Sequence, residues 1–182
     1  MYKLEYVKNC IPPSEIYKKG VHDMKQAEIA RWLKAITWAI GIMGVIVFFV
    51  LVPILAEEMR RMYPEAAFLY WPGLVYNLAV AVGCYAILFQ FWTVCREIGR
   101  DNSFSMENAI AFKRISALAV ILAGMWAVAF VGLILLRYAQ PGIMMFLIFA
   151  MFMSFVVAIC AVALSHLVLK AYELKQENEL TI

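Results

Sequence analysis

Charged side chains are scarce in this chain. Asp, Glu, Lys and Arg make up 16% of its 182 residues, hydrophobic residues make up 65%, and the mean hydropathy is +0.79. Soluble domains carry about 25% charged residues, and disordered chains combine low hydrophobicity with high charge. The composition therefore excludes both classes and favours a protein that lives in a bilayer.

Patterns that bind metals or activate nucleophiles are also missing. The chain has two histidines and four cysteines, and no two cysteines form a Cys-x-x-Cys motif. No Gly-rich phosphate loop or nucleophile elbow is present. A haem protein would require paired histidines in the membrane, and a disulfide oxidase would require exposed paired thiols. These absences predict a protein that is not an enzyme and that uses no cofactor and no metal.

Four apolar stretches are long enough to cross a bilayer, which takes about 20 residues. They fall within residues 35–56, 73–95, 115–136 and 143–169. Lipid offers no water to backbone groups, so each stretch must be helical. We therefore predict an all-α integral membrane protein with a four-helix bundle over residues 35–170. An N-terminal arm (1–34), a loop between the second and third spans (96–114) and a C-terminal tail (171–182) lie outside the membrane.

Lysine and arginine are distributed unequally between the two sides of the predicted membrane domain. With four spans, the arm, the 96–114 loop and the tail share one side, which carries thirteen of the sixteen Lys and Arg residues. Such a bias marks the cytoplasmic side. We therefore expect both termini to be cytosolic, in a bacterial cytoplasmic membrane. Because this topology already explains the net charge of +3, we expect no direct nucleic-acid binding.

Within the spans, small and isolated polar residues indicate helix packing. Membrane helices approach closely where small residues recur, either within one chain or in a homodimer. Three such rows are Ala119–Ala123–Ala127, Ala150–Ser154–Ala158 and Ala79–Gly83. We interpret Asn77, Gln90 and His166 as interfacial or interhelical hydrogen-bonding residues, in preference to a substrate site. Trp126, in the middle of the third span, is expected to pack against a neighbouring helix.

The longest polar interruption between spans reads "REIGRDNSFSMENAIAFKR" and covers residues 96–114. Its Asp-Asn-Ser sequence is typical of a turn. Ser105 is a good N-cap for a helix that begins at Met106, and Glu107 falls in the first turn, where the helix dipole favours negative charge. Phe104 is expected at the membrane interface. Local physics alone favours a capped re-entry into the membrane.

The tail, "LKAYELKQENELTI", is the second patterned polar segment. We expect the fourth helix to continue past the membrane through Lys170 and Glu173, which form an i,i+3 pair. The last residues return to an apolar sequence at Leu180. An apolar end after a charged helix can dock onto another surface, although terminal residues commonly fray.

The two polar segments together resemble those of the YoaS-like family, small four-span bacterial membrane proteins of unknown function. The resemblance rests on Asn102, Phe104, Ser105, Glu107 and Asn108 in the loop, and on Leu174, Glu177, Asn178, Leu180, Thr181 and Ile182 in the tail. It extends from the first span to the C-terminus, although the family tail usually has a Gly where this chain has Tyr172–Glu173. The N-terminal arm is poorly covered.

The resemblance also implies a partner, since members are commonly encoded beside a small Cro/CI-type helix-turn-helix protein. We hypothesise a non-enzymatic membrane regulator that holds such a repressor at the cytosolic face. The residues expected to dock the partner, or to pack loop against tail, are Phe104, Ser105, Glu107, Asn108, Glu177, Asn178, Leu180 and Thr181. The alternative is a transport or self-protection protein that acts on a peptide or lipophilic compound. A polar cavity that reaches Asn77 or Gln90 would favour this alternative.

Overall fold

The structure, a computed structural model, describes residues 13–99 and 104–180, with side chains for Glu28 and for residues 31–99 and 104–177. All regular structure in this part is helical. The elements are α1 (Pro13–Ile46), a π-helical turn (Val47–Leu51), α2 (Val52–Met62), a 3₁₀ segment (Pro64–Leu69), α3 (Tyr70–Ile98), α4 (Met106–Leu135) and α5 (Pro141–Leu180). Residues on both sides of the π turn keep right-handed helical dihedrals, so α1 and α2 form one continuous rod.

Four helical segments are long and apolar enough to cross a membrane. They are Arg31–Met62, Pro64–Ile98, Met106–Leu135 and Pro141–Glu177, which we call the first to fourth spans. This confirms the predicted all-α fold with four membrane-spanning helices. At seven of their eight ends these helical segments extend beyond the predicted spans. Helix α1 begins at Pro13 and passes without a break through the expected end of the arm at residue 34, and α4 ends at Leu135 with Leu136 as its C-cap.

Backbone contacts between the described helices join only consecutive spans. The first span packs on the second, the second on the third, and the third most extensively on the fourth. In this part of the chain no backbone contact joins the first span to the fourth, so the four helices form a row in chain order and not a closed ring. Among the described residues, Thr37 is the one buried residue of the first span, whereas many residues of the third span are buried.

Small residues allow the closest approach between the second and third spans. A Cβ atom added to Gly83 would lie 2.8 Å from Leu122 Cδ2, so only glycine fits there without movement. Val80 and Ala119 are buried, but Ala79 is exposed. The predicted Ala79–Gly83 face was therefore wrong by one position, because the contact face runs through Val80 and Gly83, three residues apart on one helix side.

The π-helical turn has a local cause in Pro53. Proline has no amide hydrogen to donate, and the amide of Val52 is used by the carbonyl of Val47. The carbonyl of Phe48 consequently lacks a helical donor, and it accepts a hydrogen bond of 3.0 Å from Asn77 Nδ2 in the second span. This confirms the interhelical hydrogen bond predicted for Asn77.

Aromatic side chains tie the spans together at several depths. Trp126 packs edge-to-face on Phe146 with ring centroids 6.0 Å apart, which confirms the contact predicted for it. The hydroxyl of Tyr76 donates to the carbonyl of Met125, and the hydroxyl of Tyr85 donates to that of Gly41 at 2.8 Å. Each bond satisfies a phenol within the bilayer, where an unsatisfied polar group is costly.

Candidate docking surface at the Ser105 end

One end of the row brings together the start of the first span, the turn between α3 and α4, and the extension of α5. We call it the Ser105 end. The opposite end carries the loop at Tyr63 and the α4–α5 turn at Arg137. Because consecutive spans run in opposite directions, every polar segment that the sequence singled out falls at the Ser105 end.

Ser105 and Asn108 hold the start of α4 together. Ser105 has extended dihedrals and is 5% exposed, and its Oγ accepts a hydrogen bond of 3.2 Å from the backbone amide of Asn108. The N-cap at Ser105 and the helix start at Met106 are therefore confirmed. Asn108 itself is 1% exposed. These two residues form the interior of the turn, where they stabilise the fold.

Ser165 of α5 anchors the same first turn from the neighbouring helix. Its Oγ donates a hydrogen bond of 2.8 Å to the carbonyl oxygen of Ala109, and the adjacent Ala111 and Ile115 are buried. Sequence reasoning missed this contact. The available signal was a hydroxyl inside an apolar span, which forms a bond within its own helix as readily as a bond to a neighbour.

The other half of the loop motif faces outward. Phe104 is 55% exposed, and Met106 and Ile110 are also exposed apolar residues on the same segment. Glu107 is exposed in the first turn of α4, and Lys113 is exposed further along. The Ser105 end thus presents an apolar surface bordered by both signs of charge, held in place by the buried half of the motif.

The tail continues as part of α5 and does not turn back beneath the other helices over residues 171–180. Leu174 is 61% exposed and Glu177 is exposed. Asn178 and Leu180 belong to α5, but their side chains lie outside the described residues, and so does Thr181 as a whole. A helix that extends outward differs from the fold-back that mutual packing of tail and loop requires.

The described residues give no support for a polar pathway. A cavity of about 450 Å³ lies between the first and second spans, but its lining is almost entirely apolar and includes neither Asn77 nor Gln90. The amide of Asn77 is instead committed to the Phe48 carbonyl. In the part of the chain that the structure describes, no three His, Cys, Asp or Glu side chains are placed to hold a metal ion.

Comparisons with known proteins agree with this architecture. A curated protein of Bacillus subtilis (strain 168), described as "Uncharacterized membrane protein YoaS", is 28% identical over 153 residues, which cover 83% of this chain and 96% of that protein. No solved structure matches the chain. The predicted YoaS-like resemblance is therefore confirmed.

The family model described as "Protein of unknown function (DUF2975)" matches residues 54–182, more than half of the chain. The match begins near the end of the first span, later than the resemblance in the sequence suggested, and it includes both the Ser105 turn and the tail. With its four apolar helices, the chain is a multi-pass membrane protein that belongs to the DUF2975 family.

Proposed function

We propose that this protein is a non-enzymatic regulator in the bacterial cytoplasmic membrane. With both termini in the cytosol, it binds a small helix-turn-helix transcription factor through the 96–114 loop and the tail. The observation that supports this proposal is the division of the loop motif into two parts. Ser105 and Asn108 are buried, whereas Phe104 and Glu107 are exposed. An exposed aromatic beside a carboxylate, on a rigid capped helix start, suits a protein partner.

The charge pattern supports placing this surface in the cytosol. Thirteen of sixteen Lys and Arg residues lie at the Ser105 end under the four-span topology. A DNA-binding protein has a basic face for the phosphate backbone. Capture through Glu107 and Glu177, both exposed, would compete with DNA for basic residues of that partner. Release from the membrane would then free the partner to bind its operator.

The test is co-purification of a small Cro/CI-type helix-turn-helix protein, of the kind that members of the family are commonly encoded beside, using the full-length protein in mild detergent. Glu107→Lys reverses an exposed charge at the Ser105 end. Glu65→Lys reverses an exposed charge at the opposite end and is the matched control. We expect Glu107→Lys to lower capture at least about tenfold, because like charges now oppose each other in the complex, while Glu65→Lys leaves capture unchanged. Absence of capture by the unmodified protein, or equal loss in both variants, would remove the proposal.

A further inference from the structure

The cavity between the first and second spans is a groove with an apolar lining. Its walls are formed by Thr37, Trp38, Gly41, Ile42, Val45, Tyr85, Leu88, Phe89 and Trp92. The hydroxyls in that lining are already satisfied, since Thr37 donates to the Leu33 carbonyl at 2.8 Å and Tyr85 donates to Gly41. The groove therefore offers hydrocarbon and aromatic contact, and its hydroxyl groups are already bonded within the protein. Its volume of about 450 Å³ lies within the range of ligand pockets.

On both helices, the face that lines the groove carries basic residues further along, at the Ser105 end. Residues three and four apart share one side of a helix. On the first span this spacing runs back from Val45 through Gly41 and Trp38 to Lys34 and Arg31. On the second span it runs forward from Tyr85 through Phe89 and Trp92 to Arg96. The apolar groove consequently opens, at the Ser105 end, between three basic side chains.

These cations are available for a ligand. Arg31 and Arg96 are exposed, and Lys34 is half-buried. The ion pairs of Glu57 and Glu58 with Arg60 and Arg61 lie at the opposite end of the row and do not involve these three cations. Glu28 lines a hollow with Arg31 and Trp32, and it offsets one of the positive charges. With the buried Glu97 next to Arg96 counted as well, three basic and two acidic side chains of the described residues lie at this end of the first two spans, and the basic ones are in excess.

Two tryptophans indicate the depth in the membrane at which this mouth lies. Trp38 and Trp92 pack edge-to-face across it, with ring centroids 6.2 Å apart. Tryptophan prefers the level of the lipid headgroups, where its ring is amphipathic. Basic pockets between membrane helices at that level are suited to anionic headgroups, whose charge they neutralise. The apolar groove below has the chemistry for an acyl chain.

We propose that this groove is a binding site for an anionic phospholipid. One acyl chain lies against Trp38, Ile42 and Phe89, and the headgroup phosphate contacts Arg31, Lys34 and Arg96. The site does not depend on the transcription-factor hypothesis. It is formed by residues 31–45 of the first span and residues 85–96 of the second, so it shares only Arg96 with the 96–114 loop that would dock a partner.

The test is native mass spectrometry of the full-length, delipidated protein titrated with phosphatidylglycerol or with phosphatidylcholine of the same acyl chains. We expect a preference for phosphatidylglycerol of at least about tenfold, because several cations meet one phosphate. Arg31→Ala/Lys34→Ala/Arg96→Ala should abolish that preference. The control is Arg60→Ala/Arg61→Ala/Arg137→Ala, which removes three cations from the opposite end and should retain it.

The acyl-chain part is tested by a matched pair in the first span. Ile42 lines the groove and is 56% exposed, whereas Ile40 is 52% exposed and faces elsewhere. Ile42→Trp should fill the groove and reduce binding of phosphatidylglycerol at least tenfold, and Ile40→Trp should not. Equal binding of the two lipids by the unmodified protein overturns the proposal, as does equal behaviour of Ile42→Trp and Ile40→Trp. Conversion of a dimer to a monomer by Ile42→Trp, with lipid binding unchanged, would assign the groove to a second copy of the chain.

Discussion

The side-chain amide of Asn77, in the second span, donates a hydrogen bond of 3.0 Å to the backbone carbonyl of Phe48 in the first. The two residues are linked through Pro53, which has no amide hydrogen and forces the π-helical turn that frees this carbonyl. In a bilayer no water can replace the missing donor. The second span thus supplies the hydrogen-bond donor that the backbone of the first span lacks. The first span is the least buried of the four.

The dependence of this bond on Pro53 is testable by a double-mutant cycle. Asn77→Leu should lower the free energy of unfolding by about 1–2 kcal/mol, since it removes an interhelical bond and leaves a carbonyl unsatisfied. In a Pro53→Ala background the helix can regain its amide donor, and the same change should cost less than about 0.5 kcal/mol. Titration with SDS in mixed micelles measures both values.

Ser154→Ala is the control for this cycle. Its hydroxyl bonds to the Ala150 carbonyl at 2.9 Å within one helix, where the carbonyl keeps its own amide donor. We expect the same small effect in both backgrounds. If Asn77→Leu is equally destabilising with and without Pro53, the contribution of Asn77 to stability does not come from its hydrogen bond to the Phe48 carbonyl.

The N-cap of α4 is the second quantitative prediction. Ser105→Ala removes the acceptor of the Asn108 amide and should lower the free energy of unfolding by about 1 kcal/mol. Ser105→Thr keeps a hydroxyl and should recover most of that loss. Equal destabilisation by Ala and Thr would indicate that packing around this 5% exposed side chain, and not its hydrogen bond, determines the effect.

Features that depend on local chemistry were predictable from the sequence. Features that depend on which face of a helix packs against a neighbouring helix were not. The N-cap at Ser105 follows from one hydroxyl before a helix, and the four spans follow from length and charge. The contact face at Gly83 was misplaced by one residue because Val80 and Ala79 are both apolar. Lipid tails and neighbouring helices accept such side chains equally well.

The sequence predicted which residues belong to the candidate surface, but not which of them are buried and which are exposed. Spacing alone placed Phe104, Ser105, Glu107 and Asn108 in one short segment. Only the packing of α5 against α4, with Ser165 bonded to the Ala109 carbonyl, decides which of them are enclosed. That contact joins residues 56 positions apart, and no local pattern encodes it.

This division predicts that stability and partner binding separate by residue. Asn108→Ala should lower the free energy of unfolding by about 1–3 kcal/mol, because a buried polar side chain and its interactions are lost. Phe104→Ala should change it by less than about 0.5 kcal/mol, as expected for an exposed position. Phe104→Ala should nevertheless reduce capture of the helix-turn-helix protein, which SDS titration and co-purification measure on the same preparations. A large stability loss in Phe104→Ala would instead identify it as a packing residue.

Arg137 ends α4 in a conformation that favours glycine. Its φ is +61°, and it occupies the left-handed position of a Schellman motif, in which the amide of Tyr138 bonds to the Leu133 carbonyl at 3.0 Å and the amide of Arg137 bonds to that of Ile134 at 3.0 Å. Arg137→Gly should therefore raise the free energy of unfolding by up to about 1 kcal/mol. Arg137→Ala removes the charge but keeps the strained backbone, and we expect no gain. Equal stabilisation by Gly and Ala would point to the guanidinium as the source of the effect.

The proposed topology is the prediction on which the cytosolic site depends, and labelling of single cysteines tests it. In a variant that lacks the four native cysteines, Phe104→Cys reports the Ser105 end and Ala139→Cys the opposite end, and both positions are exposed. The excess of Lys and Arg at the Ser105 end predicts that this end stays in the cytosol. A membrane-impermeant maleimide should label Ala139→Cys in intact cells, and Phe104→Cys only after permeabilisation. The reverse pattern would place the loop and tail outside the cytosol, where they could not meet a transcription factor, whereas the lipid groove between the first two spans would be unaffected.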